Sequence, residues 1–322
     1  MMTSTYKRPS RRVKLAGPSF SARFFRSREL YALLIIPVVY LALFHYYPMY
    51  GAQIAFKDFK AGLGIAGSPW VGFRYFIRFF SSYQFVRIVG NTLALSAYTL
   101  FIAFFARIFL ALMINAVKNS FFKKSVQMIT YMPHFISTVV IVGMIVQFLN
   151  PRIGMLSKAM QFFGGTDRDL MGIPEAFSHI YAWSGVWQSV GWGTIIFLAA
   201  LSSVDPSLHE AAIIDGANRF QRIRFIDIPV IIPTAVILLI LDAGRIMNVG
   251  FEKVFLMQNN LNLSSSEVIS TYVYKMGIGG GTTVRTDFSY GTAIGLFNSI
   301  VNFALVVSVN RVSRTLNNTS LW

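Results

Sequence analysis

The sequence has no cysteine and few acidic residues, and both shortages exclude classes of function. Without a thiol, the chain has no disulfides, no cysteine nucleophile and no thiolate metal site. Asp and Glu number 13 against 29 Lys and Arg, and the four histidines are widely separated. Because no group of these residues has metal-ligand or acid–base spacing, we expect a protein that is not an enzyme and holds no metal.

A phosphate-binding loop is also missing. The glycine-rich segment 277–283 lacks the lysine of a G-x-x-x-x-G-K-[ST] loop. If ATP and Mg²⁺ drive this protein, they bind to another chain. We also find no clear internal repeat and no soluble catalytic domain.

Apolar residues dominate what is present. Hydrophobic residues make up 54% of the chain and charged residues 13%, and the mean hydropathy is +0.55, which is too apolar for a soluble domain. Each of six apolar runs is near the ~20 residues that cross a bilayer core. They span residues 30–47, 92–117, 126–149, 180–201, 230–249 and 290–309. We therefore predict an all-α polytopic membrane protein with six transmembrane helices.

The positive charge follows this topology. A net charge of +16 would suggest nucleic acid in a soluble protein, but here 16 Lys and Arg lie in short segments on one predicted side and 12 in longer segments on the other. Since short cytoplasmic segments are rich in Lys and Arg, we predict cytoplasmic termini. The chain then divides into a basic tail (1–28) at the lipid surface, a six-span domain (29–310) and a C-terminal tail (311–322). No nucleic-acid partner is expected.

A charged stretch, EAAIIDGANRFQRIRFIDIP (210–229), separates the fourth and fifth apolar runs. Its first part has the apolar spacing of an amphipathic helix, Gly216 interrupts that helix, and a second short piece leads to Pro229. We predict two short helices forming a knob outside the membrane. An ordinary solvated helical hairpin is the alternative interpretation.

This stretch resembles the EAA loop of ABC importer permeases. Six positions match its pattern, with Ile228 in place of the usual Leu: Glu210, Ala211, Ala212, Gly216, Ile226 and Pro229. The segments FHYYPMYG (44–51), AFKDF (55–59), SPWVG (68–72), MNVGFE (247–252) and NRVSR (310–314) resemble permeases of the LplB type. The resemblance implies a type I ABC importer permease fold with a cytoplasmic coupling loop at 203–229. It also implies uptake of complex sugars across a bacterial cytoplasmic (inner) membrane.

The same resemblance implies partners and a role for the loop. The partners are a second permease subunit, a dimer of ATPase subunits that binds ATP and Mg²⁺, and a periplasmic solute-binding protein. The residues that the resemblance assigns to ATPase coupling are Glu210, Ala211, Ala212, Asp215, Gly216 and Ala217. Physically, Gly216 permits a backbone turn, small alanines allow close approach, and Glu210 can pair with an arginine or cap a helix.

Polar residues inside the apolar runs are candidates for the substrate pathway. Asp242, Arg245 and Asn248 follow one another at three-residue steps on one face of the fifth run. Charges at such depth face a cavity or each other, so a pathway lining and an ion pair that ties this span to its neighbours both stay open. Arg107, nearer the inner end of the second run, is expected to reach the interface.

Further pathway candidates combine aromatic rings with amides, which suit the apolar faces and hydroxyls of sugars. They are Trp183, Trp187, Gln188, Trp192, Asn298 and Asn302. Tryptophans near the end of a span are also common interface anchors, so both interpretations stay open for them.

Basic residues on the predicted outer side favour an anionic, alginate-like oligosaccharide. They are Arg245, Lys253, Lys275 and Arg285. Neutral sugars remain possible because Asp242 and Glu252 lie close by in the sequence. An ion-coupled secondary transporter acting without an ATPase is an alternative, but it predicts inverted repeats and broken spans, which we do not find in the sequence. A membrane enzyme acting on lipid or glycan would need clustered His, Asp or Glu at one membrane face.

Overall fold

The computed structural model describes residues 28–163, 169–244, 246–247, 249–279 and 286–317. The described residues form helices, turns and loops, and their only β-type pairing is an isolated bridge between Lys57 and Trp70. The contacts divide the chain into two units, Met1–Gln53 and Ile54–Trp322.

The described residues of the first unit form one apolar helical segment, which leads into the 3₁₀ turn at Tyr50–Phe56. Helix α1 spans Arg28–Leu41, and a π-helical turn (Ala42–Tyr46) and a short helix (Tyr47–Met49) continue it. None of these residues is buried within the chain. An apolar helix exposed on all sides has the character of a segment surrounded by lipid or by other spans.

The second unit holds the remaining helices. After 3₁₀ turns at Tyr50–Phe56 and Ala61–Leu63 and a short turn at Gly64–Gly67, the helices are α2 (Arg74–Phe80), α3 (Phe85–Ala116), α4 (Ser120–Tyr131), α5 (Thr138–Phe148), α6 (Met155–Phe162), α7 (Pro174–Ser202), α8 (Pro206–Ile214), α9 (Arg219–Arg222), α10 (Ile228–Ala243), α11 (Phe251–Met257), α12 (Leu263–Ser266), α13 (Ile269–Gly277) and α14 (Phe288–Asn317). 3₁₀ turns at Met132–Phe135 and Leu170–Gly172 precede α5 and α7, and a π-helical turn at Ile223–Asp227 joins α9 to α10.

Five helical segments are long and apolar enough to cross a membrane. They are Arg28–Phe56, Phe85–Ala116, Pro174–Ser202, Arg219–Ala243 and Phe288–Val312. A bent pair of helices supplies a sixth if the pair is one span. The predicted class, an all-helical polytopic membrane protein, is confirmed.

The continuous third span predicted over 126–149 is wrong. The segments Ser120–Phe135 and Thr138–Phe148 meet at an angle of 99°. Pro133 lies in the turn between them and has no N–H for a continuing helix. Ser137 then starts α5 afresh, because its hydroxyl accepts the backbone N–H of Val140 at 3.4 Å. The chain thus contains a broken apolar segment, contrary to the sequence expectation.

The fifth span also differs from its predicted bounds of 230–249. Helix α10 starts directly from the π-helical turn and ends at Ala243, and Gly250 precedes α11. Arg245 and Asn248, two predicted pathway residues, lie outside the described residues.

The connection between α10 and α14 is folded into short helices over residues 250–277. The buried amide of Asn262 donates to the carbonyl oxygens of Met171 at 2.9 Å and Met257 at 3.1 Å. The carboxylate of Glu267 receives a hydrogen bond from Arg87 at 2.6 Å. These bonds hold α11, α12 and α13 against the ends of α3 and α7.

Candidate functional site

A polar cavity of about 170 Å³ lies among α3, α7, α10 and the segment that follows α10. Its lining is Ser96, Thr99, Leu100, Ala103, Arg107, Tyr181, Asp242, Ile246, Val249 and Gly250. Most of these residues belong to helices that are apolar enough to span a membrane. A charged and hydroxyl-rich cavity between such helices is where a polar solute can be accommodated.

An ion pair crosses this cavity. Nη1 of Arg107 on α3 donates to Oδ2 of Asp242 on α10 at 2.8 Å, and the two side chains are 23% and 33% exposed. The expectation that Arg107 reaches the inner interface is therefore wrong, because the carboxylate of Asp242 gives its charge a partner within the helix bundle. Gly193 makes room for it, since a Cβ there would lie 2.6 Å from Cδ of Arg107.

Arg245 lies outside the described residues, so its pairing with Asp242 stays a prediction. Among the described residues, Asp242 pairs with Arg107. The sequence left two interpretations of Asp242 open, a pathway lining and a tie to a neighbouring span. The pair joins α10 to α3, which agrees with the second interpretation, and both of its members line the cavity. The role of Asp242 in a substrate pathway stays a prediction.

Three polar atoms of the cavity lining are buried without a hydrogen-bond partner among the described residues: Oγ of Ser96, Oγ1 of Thr99 and Nε of Arg107. Hydroxyls in helices usually bond to a carbonyl one turn earlier, as Thr92 does with Ile88 at 2.7 Å. An unsatisfied buried polar group costs about 1–3 kcal/mol. Hydroxyl or carboxylate groups of a bound solute would remove that cost.

The tryptophan candidates lie elsewhere on α7. Trp183, Trp187 and Trp192 are exposed on the surface of the chain, whereas the cavity takes Tyr181 from this helix. Trp192 stacks on His134 with a ring separation of 4.6 Å. Nε2 of Gln188 donates to the carbonyl oxygen of Ile136 at 3.3 Å. The structure thus places these four residues toward the bent α4–α5 pair or the outer surface of the bundle.

The asparagine candidates on α14 support the cavity from behind. Asn302 is buried, and its Oδ1 accepts the backbone N–H of Met247 at 3.0 Å. That bond fixes the segment carrying Ile246, which lines the cavity. Asn298 is half-buried and lies one helical turn away from Asn302. Neither asparagine lines the cavity itself.

The charged stretch between the fourth and fifth apolar helices has the predicted local form. Asp205 caps α8 by accepting the N–H of Ser207 at 2.9 Å, and this bond lowers the pKa of the Asp205 carboxyl. Gly216 adopts φ +77°, in the region that glycine enters most easily. Asn218 and Gln221 then cap α9 reciprocally at 2.7 and 3.0 Å. The predicted pair of short helices interrupted at Gly216 is confirmed.

The six residues predicted to couple to an ATPase lie together on this helix–turn–helix. Glu210, Ala211, Asp215 and Gly216 are exposed, and Ala212 and Ala217 are half-buried. Large apolar side chains on the same stretch are also exposed: Ile213, Ile214, Phe220 and Phe225. An exposed apolar knob of this kind is typical of a protein-binding surface.

Sequence reasoning missed the residues that hold this loop to the bundle. Asp227, in the π-helical turn, is buried, and its Oδ1 lies 3.4 Å from Nε2 of His209 on α8 and 3.5 Å from Nδ2 of Asn115 near the end of α3. These groups lie at a cavity of about 420 Å³ beside the loop, which Arg219 and Arg222 also line. In the sequence, the one indication that Asp227 attaches the loop to the bundle was its position directly before an apolar run.

Comparisons with known proteins agree with these features. A sequence model of the family described as the inner membrane component of binding-protein-dependent transport systems matches residues 107–318. Protein LplB of Bacillus subtilis (strain 168) is 40% identical over 306 residues, which cover 95% of each chain. The polygalacturonan/rhamnogalacturonan transport system permease protein YteP of the same organism is 39% identical over 93% of this chain and 92% of its own.

A solved structure is similar across nearly the whole chain. It is the bacterial alginate ABC transporter in complex with an alginate pentasaccharide-bound periplasmic protein, and the matched chain is 37% identical with a TM-score of 0.85. The match covers 94% of this chain and 99% of that one. The segments quoted above also suggested a resemblance to the larger permease subunit of the bacterial alginate importer. The structural match confirms the resemblance to that importer, and the choice of subunit stays a prediction. The chain therefore belongs to the family of inner membrane components of binding-protein-dependent transport systems, the ABC importer permeases.

Proposed function

We propose that this chain is a permease subunit of an ATP-driven, binding-protein-dependent importer of acidic oligosaccharides that works by alternating access. The observation that carries the proposal is the cavity at Arg107 and Asp242. It lies among spanning helices and contains unpartnered hydroxyls and an unpartnered guanidinium N–H. These groups suit a solute that bears both hydroxyls and carboxylates.

The names of the similar proteins support the acidic substrate. Polygalacturonan and alginate are polyuronates, so their sugar units carry a carboxylate beside their hydroxyls. The guanidinium of Arg107 can bind such a carboxylate, and the hydroxyls of Ser96 and Thr99 can bond to the hydroxyls of the sugar. Asp242 would hold Arg107 in place while no substrate is bound.

The partners in this proposal are a second permease subunit, two ATPase subunits that bind ATP and Mg²⁺, and a periplasmic solute-binding protein. The loop at 203–229 contacts the ATPase, with Glu210 and Gly216 at its centre. Its exposed apolar side chains, such as Ile214 and Phe220, support that role. The chain lies in the cytoplasmic membrane with its basic tail, its C-terminus and this loop on the cytoplasmic side.

The proposal is tested by purifying the tagged chain from its native membranes in mild detergent and reconstituting it with the proteins that accompany it. We expect a second permease and an ATPase in the preparation. We also expect ATP-dependent uptake of an oligouronate once the binding protein is added. Equal uptake of an oligouronate and a neutral oligosaccharide of the same length would contradict the acidic substrate.

The broken α4–α5 segment and the intramembrane pair Arg107–Asp242 also occur in the architecture expected of an ion-coupled secondary transporter. The same preparation distinguishes the two functions. A chain that is purified alone and transports a solute down an ion gradient without ATP would overturn the importer proposal.

A further inference from the structure

Lys253 on α11 is a buried cation held against α7. The residue is only 8% exposed. Nζ donates to the carbonyl oxygen of Tyr181 at 3.0 Å and lies 4.9 Å from the centre of the Tyr181 ring. Gly185 also lies beside it, since a Cβ there would be at ordinary contact distance, 3.4 Å from Nζ. The ammonium group thus lies against a backbone carbonyl and an aromatic face of α7.

No carboxylate among the described residues forms an ion pair with Lys253. Of the 13 acidic residues in the chain, only Asp167 is outside the described part. Glu252, the sequence neighbour of Lys253, is exposed. Glu267, on the same outer connection, bonds to Arg87 and Lys275. A buried charge without a counter-charge is costly and is usually retained for a function.

The charge lies directly behind the wall of the candidate cavity. Tyr181 lines that cavity, and Lys253 contacts the carbonyl and the ring of the same residue. Gly250, which also lines the cavity, lies three residues before Lys253, and a Cβ on Gly250 would be 3.2 Å from the hydroxyl of Tyr181. Arg107 and Asp242 neutralise each other. Lys253 therefore supplies the surplus positive charge next to the cavity.

We propose that Lys253 is a specificity-determining residue that gives the cavity its preference for anionic sugars without touching them. The inference rests on the proposed function, because it assigns a residue to the selectivity of that same cavity. Its physical basis is the long reach of a charge in a medium of low dielectric constant, where one aromatic ring does not screen it. A neutral sugar gains nothing from this field, whereas each uronate carboxylate does.

The protonation of Lys253 adds a pH signature. Burial lowers the pKa of its ammonium group to about 8. Because this pKa is depressed, the charge is present below about pH 8 and is lost as the pH rises through that value, while uronate carboxylates stay ionised. The titratable or charged groups on the helices packed around Lys253 are Glu252 on α11, Glu175, His179 and Tyr181 on α7, and Tyr272, Tyr274 and Lys275 on α13, whereas α5 has none.

The test uses the complete reconstituted importer with Lys253→Met and Lys253→Arg, and measures KM for an oligouronate and for a neutral oligosaccharide of equal length. We expect Lys253→Met to raise KM for the oligouronate about tenfold, as the loss of one nearby charge predicts, with little change for the neutral sugar. Lys275→Met is the matched control, because that outer lysine already pairs with Glu267. It should leave the ratio of the two KM values unchanged.

The pH dependence provides a second readout that needs no substitution. Between about pH 7 and pH 9, the wild-type preference for the oligouronate should fall. Lys253→Arg should keep its preference over this range, since arginine stays charged, and Lys253→Met should show a low preference throughout. If Lys253→Met does not assemble, the pH profiles of wild type and Lys253→Arg still test the role of Lys253.

The two proposals fail in different ways. A wild-type importer that takes up no oligouronate would overturn the proposed function. A wild-type importer that prefers the oligouronate, with the same preference in Lys253→Met and no change with pH, would overturn only the role of Lys253. Equal KM increases for both sugars would assign Lys253 to folding of the α7–α11 contact and would also overturn the inference.

Discussion

The guanidinium of Arg107 lies 2.8 Å from the carboxylate of Asp242, so a charge pair joins α3 to α10 inside the apolar bundle. The two residues are 135 positions apart in the chain. Gly193 on α7 lies against the aliphatic part of Arg107, so three helices meet at this pair. Its stability contribution depends on both partners being present, because either charge alone would remain in a poorly solvated place.

The first prediction concerns this pair. Arg107→Met or Asp242→Asn alone should lower the apparent Tm of the purified importer, because each leaves one charge without its partner. The double substitution should recover much of the loss, with a coupling energy of about 1–3 kcal/mol. Thermal unfolding of the four proteins in detergent measures this coupling, and strictly additive losses would show that the two residues act independently. Uptake should stay impaired in the double variant, because the cavity has lost its charges.

The second prediction concerns Gly216 in the loop at 203–229, which we propose couples the chain to the ATPase. A Cβ at this position meets nothing within 4 Å, so its φ of +77° is the sole obstacle to a side chain. Gly216→Asn should therefore keep most of the uptake, since asparagine tolerates this conformation. Gly216→Pro should lose it, since proline fixes φ near −65° and lacks the N–H that donates to Ile213 at 3.0 Å.

The measurement for Gly216 is the ratio of solute uptake to ATP hydrolysis in proteoliposomes. We expect Gly216→Pro to insert and to assemble while that ratio falls sharply. Normal coupled uptake by Gly216→Pro would contradict the role of this turn in coupling.

The third prediction concerns the attachment of the loop to the bundle. Asp227→Ala should loosen α8, because Asp227 is the shared partner of His209 and Asn115. We expect binding of the solute to persist and uptake per ATP hydrolysed to fall at least severalfold. Asp205→Ala is a control on the same loop, since it removes a helix cap worth about 1 kcal/mol but no tie to α3. Identical effects of the two substitutions would indicate general destabilisation of the loop.

The fourth prediction concerns the contact of α7 with α4. A Cβ on Gly191 would collide with the backbone carbonyl of Thr130. Gly191→Ala should destabilise the protein by about 1–3 kcal/mol through overpacking. Gly90→Ala is the matched control, because a Cβ there meets nothing within 4 Å and alanine favours a helix. Thermal unfolding should rank Gly191→Ala below wild type and Gly90→Ala at or above it; the reverse order would contradict the close contact.

Hydropathy alone predicted five of the spanning helices, because a helix in lipid must bond its backbone internally and present apolar side chains. It missed the bend between α4 and α5. Both halves of that segment are apolar, so the mean hydropathy over a stretch of span length is the same whether the helix continues or bends. Pro133 and Ser137 carried the signal, as a helix breaker followed by a helix cap.

The helix–turn–helix at Gly216 was predictable because its determinants are local: a helical pattern, a glycine and two caps within one short stretch. The partner of Asp242 was not, because it depends on how two distant helices pack. Sequence spacing favoured Arg245, which is three residues away, over Arg107 on another helix. The tryptophans of α7 were attractive by residue type, but the face that each takes follows from the packing of the bundle.

The broken α4–α5 segment has a consequence for how the protein reaches its membrane. Neither α4, with 12 residues, nor α5, with 11, has the length to cross a hydrocarbon core by itself. Their final position in the membrane therefore depends on packing against other helices, above all α7, whose Gly191 receives the backbone of α4. Since α7 follows both in the chain, we expect α4 and α5 to reach that position only after α7 has been synthesised.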